Sequence, residues 1–248
     1  MKKIDPADLV IWFDDDLLVV NKPSGLPTLV DGYNPEAPFL AGIMKTVFNP
    51  IWIVHRLDRE TSGLIIFART PAAHKSLNTQ FEKRQARKTY HALVIGNPSW
   101  EEKTVNLPLY PDGDRKHRTV IDAHRGKPSL TNFRVMERFI QFSLLEAIPK
   151  TGRTHQIRVH LAAQGYPLAV DALYGNGQAI LLSKLEYPSG GKKSSKIPLL
   201  KRLGLHAYSL ALVHPTSGLE LDFVAPYPRD LASTLKYLHN HLPKNEPC

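Results

Sequence analysis

A chain of the α+β class is what this sequence predicts, on three observations. Short runs of strand composition recur along it, several are joined by turn-rich segments in the manner of hairpins, and only a few stretches carry the apolar recurrence and capping residues of a helix. With 248 residues and 42% apolar content the chain can bury a sizeable core, and it is read as one domain over 1–248 with its core at about 10–230. Thirty-two Lys and Arg against 23 Asp and Glu leave a net charge of +9, the balance of a protein that meets a polyanion. The single cysteine, Cys248, excludes an internal disulfide framework and a Cys-based zinc site, and suits a reducing compartment. No apolar leader opens the sequence and no run approaches the roughly 20 residues of a membrane span, so a soluble, cytoplasmic protein is expected.

Asp8 to Pro23 holds two strand-like runs around Asp14-Asp15-Asp16. Successive residues there point apart, so the three carboxylates would not converge on a cation and a solvated turn is expected. Lys22-Pro-Ser-Gly-Leu-Pro27 follows as a rigid loop whose Lys22 could point at a ligand. Phe39 to Met44 is a short candidate helix. Ile51 to Ala68 consists of two apolar strand runs flanking a polar turn, and that turn holds Asp58 between Arg56 and Arg59. A carboxylate set between strands that must be buried points to a reactive group, and its plainer counterpart is a structural aspartate paired with Arg56 or a turn cap.

Thr70 as N-cap, Pro71 at the first helical position and Ala73, Leu77 and Phe81 at four-residue intervals predict a helix, whose basic end gathers Lys83, Arg84, Arg87 and Lys88. Arg87 to Gly96 is a strand with Tyr90, Ala92 and Val94 on one face, where the aromatic is either core or a platform for a base. Pro108 to Pro128 is an exposed mixed-charge loop or hairpin, followed by strands over Leu130 to Phe139 and Gln141 to Ile148.

Pro149 to Gly165 is a strand-to-helix turn in which Thr154 can cap, Gly165 can end the helix, and Ile157 and Leu161 form the buried stripe. Arg153 in the turn and Arg158 in the helix need not share a face. His155 and His160 miss the i, i+4 pairing of two metal ligands and are read as hydrogen-bonding residues. Residues 188–202 lack an apolar period and read as a basic mobile loop, in which Gly191-Lys192 lacks the spacing of a phosphate loop, so no nucleotide cofactor is expected. A hairpin over Leu205 to Phe223 and an amphipathic helix over Pro228 to His241 close the chain.

Four stretches, in this order, resemble motifs of the RluA family of RNA pseudouridine synthases. They are Asn21-Lys-Pro-Ser-Gly25, His55-Arg-Leu-Asp-Arg-Glu-Thr-Ser-Gly63, Lys88-Thr-Tyr-His-Ala-Leu-Val-Ile-Gly96 and Thr151-Gly-Arg-Thr-His-Gln-Ile-Arg-Val-His160. Leu205-His-Ala, His214-Pro215 and Ala225-Pro226 extend the likeness to about residue 230. The resemblance implies a catalytic domain of α+β fold around a central, mostly antiparallel mixed β-sheet flanked by helices and loops. It also implies a cofactor-free isomerase that converts uridine in ribosomal or transfer RNA to pseudouridine.

The resemblance assigns roles as well. Asp58 is the catalytic carboxylate, acting as nucleophile at the sugar or as base at its 2′ carbon. Arg158 pairs with it and opposes the desolvation that would neutralise it. Tyr90 lies against the uracil, Ile157 helps wall the pocket against water, and Arg56 fills the space left by the flipped base. Arg153, His155, Lys22, Arg87 and Lys88 are candidates for the remaining contacts with structured RNA. A monomer is expected, without the small S4 RNA-binding domain that many relatives carry. One departure is Val170, which stands where the family usually places glycine before an aspartate. The competing reading is an RNA-binding or RNA-assembly factor that keeps the pocket without the reaction; a glycoside hydrolase pairing Asp58 with Glu60 lacks a second motif.

Overall fold

Leu17-Leu-Val-Val20 and Leu64-Ile-Ile-Phe67 are unbroken apolar runs, and a strand can be apolar at every position only if both of its faces are covered. The computed structural model describes residues 4–32, 34–185 and 198–241. In chain order the elements are β1 (Val10–Phe13), β2 (Leu17–Lys22), α1 (Leu40–Lys45), β3 (Trp52–Ile53), β4 (Ser62–Ala68) and α2 (Pro71–Glu82). There follow β5 (Arg87–Ile95), β6 (Glu102–Asn106), β7 (Leu109–Tyr110), β8 (Val120–Ile121), β9 (Leu130–Arg138), β10 (Phe142–Pro149) and α3 (Gln156–Ala163). The last are β11 (Ile180–Leu181), α4 (Leu182–Leu185), β12 (Pro198–Leu200), β13 (Leu205–Val213), β14 (Glu220–Val224) and α5 (Arg229–His241). They fall into two compact units, Met1–Tyr90 with His206–Pro226, and His91–Leu205 with Tyr227–Cys248.

In the first unit the strand order is β1-β2-β4-β13, with β3 also on β4 and β14 on β13. These pairings are antiparallel except one: β13 runs parallel to β4, with His206 opposite Ser62 and Ala207 opposite Gly63. The sheet is therefore mixed and mostly antiparallel. Side-chain alternation then divides the two apolar runs. Leu17, Val19, Leu64 and Ile66 pack with Ala73 and Leu77 of α2, while Leu18, Val20, Ile65 and Phe67 pack with Leu40, Ala41 and Met44 of α1. The start of α2 is the one predicted: Thr70 Oγ1 accepts the Ala73 N–H at 3.1 Å and Pro71 takes the first helical position.

Two local expectations fail here. The strand expected from Ile51 is only two residues long. β3 pairs with β4 at Phe67 and Ala68, and β13 pairs with it at Ser62 and Gly63. Residues 54–61 leave the sheet, and the Ile66 N–H donates instead to His55 Nε2 at 3.1 Å, an imidazole standing in for a strand carbonyl. The acidic turn is not simply solvated either. Asp14 accepts the N–H groups of Asp16 and Leu17 and bonds His214 Nε2 at 2.8 Å, while Asp16 accepts the hydroxyls of Thr70 and Thr216.

In the second unit the order is β5-β10-β9-β6, with β9 antiparallel to both β10 and β6. The mixed-charge segment contains the β7–β8 hairpin. Leu93, Phe139, Ala169, Leu200, Leu231 and Leu238 share the core. Of the expected basic loop, residues 188–197 lie outside the described residues. From Pro198 the segment is strand β12 on β11, and Arg202 makes two bonds of 2.8 Å to Asp230. Helix α3 is capped differently from expectation. His155, not Thr154, is the N-cap residue, in a left-handed conformation at φ 55° and without a side-chain cap. Gln156 Oε1 accepts the Arg153 N–H and the Thr151 hydroxyl in its place. Gln156 through Leu161 are all buried, so no exposed face opposes the Ile157–Leu161 stripe. Among the described residues no helix is long and apolar enough to cross a membrane.

Gly63 carries the parallel step. Its φ is +114°, and a Cβ built on it would collide with the Ala207 carbonyl. Gly63→Ala should lower unfolding free energy in urea by about 3 kcal/mol, from overpacking and backbone strain together. Thr70→Ala, which removes only the α2 cap, should cost about 1 kcal/mol.

Candidate active site

The candidate residues fall into two groups, one in each unit. In the first unit Asp58 sits in the irregular segment between β3 and β4, half-buried, with Arg56 and Arg59 exposed on either side. An irregular segment needs partners for its main chain, and the loop after β2 supplies them. Gly25 N–H donates to Arg59 O at 2.9 Å, Arg59 Nε returns a bond of 3.1 Å to Gly25 O, and the Ser24 hydroxyl donates to Glu60 O at 2.6 Å. The Thr28 hydroxyl donates to Leu57 O at 2.9 Å and accepts the Leu57 N–H at 3.2 Å. Within the turn itself Thr61 N–H donates to Asp58 O at 3.1 Å.

Lys22 completes this clamp and corrects an expectation. Predicted to reach RNA, it is 0% exposed, and its ammonium donates to the carbonyls of Pro23, Leu26 and Arg59 at 3.0, 2.7 and 2.9 Å. A buried cation is tolerated when its donors are matched, and matching them to carbonyls on both loops ties the loops together. Lys22 thus builds the seat of Asp58 instead of contacting a ligand. Ser24 and Thr28 take part in the same clamp and were not foreseen; their only local signal is a position in a Pro- and Gly-rich loop.

Tyr90, on β5, is partly buried against Leu57, Ile65, Ala207 and their neighbours. Burial raises its phenol above the usual range, and the negative charge of Asp58 acts in the same direction. The two residues therefore share one electrostatic environment, with the tyrosine held neutral and its ring beside an apolar wall. His55 stacks on Phe81 at 4.7 Å and 21°. Lys88 lies against the same ring, its Nζ 5.7 Å from the centroid, and burial lowers its pKa. Arg87 is exposed.

In the second unit Arg158 is buried, and its Nε and Nη2 donate to the two oxygens of Asp171 at 2.8 and 2.7 Å. Within the second unit the partner of Arg158 is Asp171. Burial alone would raise the Asp171 carboxyl, yet the bonds and charge of Arg158, with the N–H groups of Leu173 and Tyr174, hold it below its ordinary value. Asp171 was not foreseen, although the residue before it was marked as a departure. Val170 has φ 60°, the left-handed conformation that a glycine would take without strain.

The other candidates of this unit surround the start of α3. Ile157 is buried; Arg153 is exposed, with Nε 3.4 Å from Pro128 O; His155 Nδ1 bonds the Tyr174 hydroxyl at 2.9 Å. His160 bonds the Thr131 hydroxyl at 3.0 Å and Leu107 O at 3.1 Å, so both histidines of the motif are hydrogen-bonded.

Two predictions come from these environments. Lys22→Met keeps the length of the stem but takes the donor away from three carbonyls, that of Leu26 in a buried bond, and should destabilise the fold by about 3 kcal/mol in urea titration. The second concerns pH. Burial, then the charge of Lys88, lowers the His55 pKa from 6.5 to about 3. Below pH 6.5 the unfolded imidazole takes up a proton that the folded one refuses, so this contribution is complete above 6.5 and declines as pH falls toward about 3. The loss is up to about 1.4 kcal/mol per pH unit. His91, lowered to about 4 chiefly by burial, acts in the same sense. The urea midpoint should therefore fall between about pH 7.5 and 5.5, and fall less steeply in His55→Gln.

Comparison with known proteins agrees with the motifs. Residues 16–163 match the family model described as RNA pseudouridylate synthase. A ribosomal large subunit pseudouridine synthase D of Neisseria meningitidis serogroup B is 35% identical over 92% of this chain and 60% of its own length. An RNA pseudouridine synthase of Bacillus subtilis, itself uncharacterized, is 37% identical over 96% of this chain and 75% of its own. The solved structure of human RNA pseudouridylate synthase domain containing 4 aligns with a TM-score of 0.74 at 25% identity, covering 98% of this chain and 97% of that one. The chain thus spans three-fifths of the Neisseria relative and three-quarters of the Bacillus one. With a family model across both motif-bearing loops and relatives of this identity, the chain belongs to the RNA pseudouridylate synthase family, as its RluA-like motifs implied.

Proposed function

We propose that this protein isomerises uridine in structured RNA to pseudouridine, and that Asp58 is the carboxylate at which the reaction turns. The observation that carries this is the setting of Asp58: a half-buried carboxylate on a loop held by main-chain bonds, sharing its environment with Tyr90. In the reaction the bond from the sugar C1′ to uracil N1 breaks, the base turns, and C1′ bonds to C5. The C5 proton is lost and N1 gains one, so no oxidant, reductant or cofactor is consumed. An ionised Asp58 meets the developing positive charge at the sugar, either by adding to C1′ or by removing the 2′ proton.

Tyr90 supports this chemistry as a flat, neutral surface for the detached base, and Ile157 as part of a dry wall. The resemblance assigns Arg158 the part of balancing the charge of that carboxylate. Arg56, exposed beside Asp58, is suited to fill the stack that a flipped uridine vacates. Arg153, His155, Arg87 and Lys88 are left to meet the phosphates, with the net charge of +9 behind them. Relatives named for the large ribosomal subunit make ribosomal RNA the first substrate to try and transfer RNA the second. We take the protein to act as a monomer in the cytoplasm, where such RNA is found.

RNA labelled with tritium at uridine C5 tests the proposal. The wild-type protein should release tritium to water, and Asp58→Ala should reduce the rate at least about a hundredfold while still binding the RNA. Equal release by both proteins, or none by either, would discard the proposal in favour of an RNA-binding factor.

A further inference from the structure

The clamp on the Asp58 loop reaches residue 60. The carbonyls of Leu57, Arg59 and Glu60 accept from Thr28, Lys22 and Ser24, and beyond them the Thr61 hydroxyl is buried with no hydrogen-bond partner among the described residues. The next polar hold along the chain is at Ser62, the first residue of β4. Main-chain pairing with β13 is short there: it covers Ser62 and Gly63, in the parallel arrangement that is the less stable per residue.

A buried side-chain relay reinforces it. His206, 0% exposed, faces Ala225 O through Nε2 at 3.2 Å and the equally buried Ser62 hydroxyl through Nδ1 at 3.0 Å. A carbonyl can only accept, so Nε2 carries a proton; with one proton on the ring, Nδ1 accepts and Ser62 donates. The imidazole is then a directional link from β4 to the segment after β14. That segment is held across the same place. Asn21 on β2 donates from Nδ2 to Pro226 O at 3.1 Å, and the Ala225 N–H donates to Tyr208 O on β13 at 2.8 Å. β2 and β13 flank β4 in the sheet, with Lys22 opposite Gly63 on one side and His206 opposite Ser62 on the other. Residues 225 and 226 thus join the two neighbours of β4 at the end where the Asp58 turn enters it.

We infer that His206 is a positioning residue for Asp58: bonded to Ser62 and held itself by Ala225, it fixes the point at which the Asp58 turn enters β4. This rests on the function proposed above. The Thr61 N–H donates to Asp58 O at 3.1 Å and closes the turn one residue before Ser62, so a shift of Ser62 carries to the carboxylate. A displacement of about 1 Å in a group that organises a reaction costs about a hundredfold in rate.

The test is a double-mutant cycle on the full chain with Ser62→Ala, His206→Asn and the double variant, read by single-turnover tritium release and by RNA affinity. Ser62→Ala removes only the hydroxyl, while His206→Asn keeps a polar group near the Nδ1 position and gives up the reach to Ala225 O. Each should slow release at least about tenfold with RNA affinity changed less than about twofold, and the double variant should be no slower than the slower single one. Thr70→Ala, which removes a hydroxyl from the α2 cap of the same unit, controls for lost stability and should release tritium at the wild-type rate. A wild-type rate for either single variant, losses that multiply in the double variant, or an equal loss in Thr70→Ala would overturn the inference.

The hold on the turn can also be read without activity. Hydrogen exchange at the Thr61 N–H should be at least about tenfold faster in Ser62→Ala than in the wild type, while exchange at the Ala73 N–H, bonded to Thr70, stays unchanged. If wild-type protein releases no tritium from any RNA, the proposed function falls; an unchanged Thr61 exchange in Ser62→Ala overturns the positioning by itself. Should His206→Asn not fold, Ser62→Ala decides the matter through its rate and its exchange, with the same outcomes for and against.

Discussion

The ammonium of Lys22 sets the terms for the first unit. Removed from water entirely, it is acceptable only where its donors are matched, and here they are matched by main-chain carbonyls at residues 23, 26 and 59. Two irregular loops thereby behave as one body, with the bonds of Ser24, Gly25 and Thr28 spread along the same seam. Asp58 inherits its position from backbone contacts on both sides of it. Arg59 belongs to the same seam through its bond to Gly25 O, and Arg56 lies exposed beside Asp58.

The second unit reaches rigidity by other means. Arg158 is fixed by a side-chain ion pair, and the aspartate of that pair is fixed by a turn whose first residue is conformationally expensive. Val170 at the position where glycine is usual put the shape of this loop in question. The backbone answers it: the left-handed conformation is kept, at about 1 to 2 kcal/mol of local strain, and the side chain is compensated by burial in the core.

Most of the architecture was legible where its signals are local. The hairpin of β1 and β2, the Thr70-Pro71 start of α2, the β9 and β10 strands and the closing hairpin follow from residues within a few positions of each other. What was not legible depends on distant partners. β3 pairs with β4 only at Phe67 and Ala68, and the edge position at Ile66 goes to the His55 imidazole, while β13, far along the chain, takes Ser62 and Gly63. Lys22 looked like a ligand-facing lysine because nothing near it announces that a carbonyl at residue 59 will be waiting. Asp58, Tyr90 and Arg158 were singled out through the motifs they stand in. Asp171 was missed because its partner lies 13 positions away across a turn with no glycine at the residue that bends it.

The parallel step between β4 and β13 also bears on the order in which the protein can form. Ser62 donates to His206 Nδ1 at 3.0 Å across 144 positions of chain, and all of residues 91–205 lie between the two parts of the first unit. Closing a loop of that length costs entropy before the contact returns any stabilisation, so local hairpins and α2 are available long before this pairing is. As the chain leaves a ribosome, the strands and helix around Asp58 can assemble early, but the end of β4 nearest to it waits for residue 207. A nascent chain short of that point carries the motif intact and its seat unfinished.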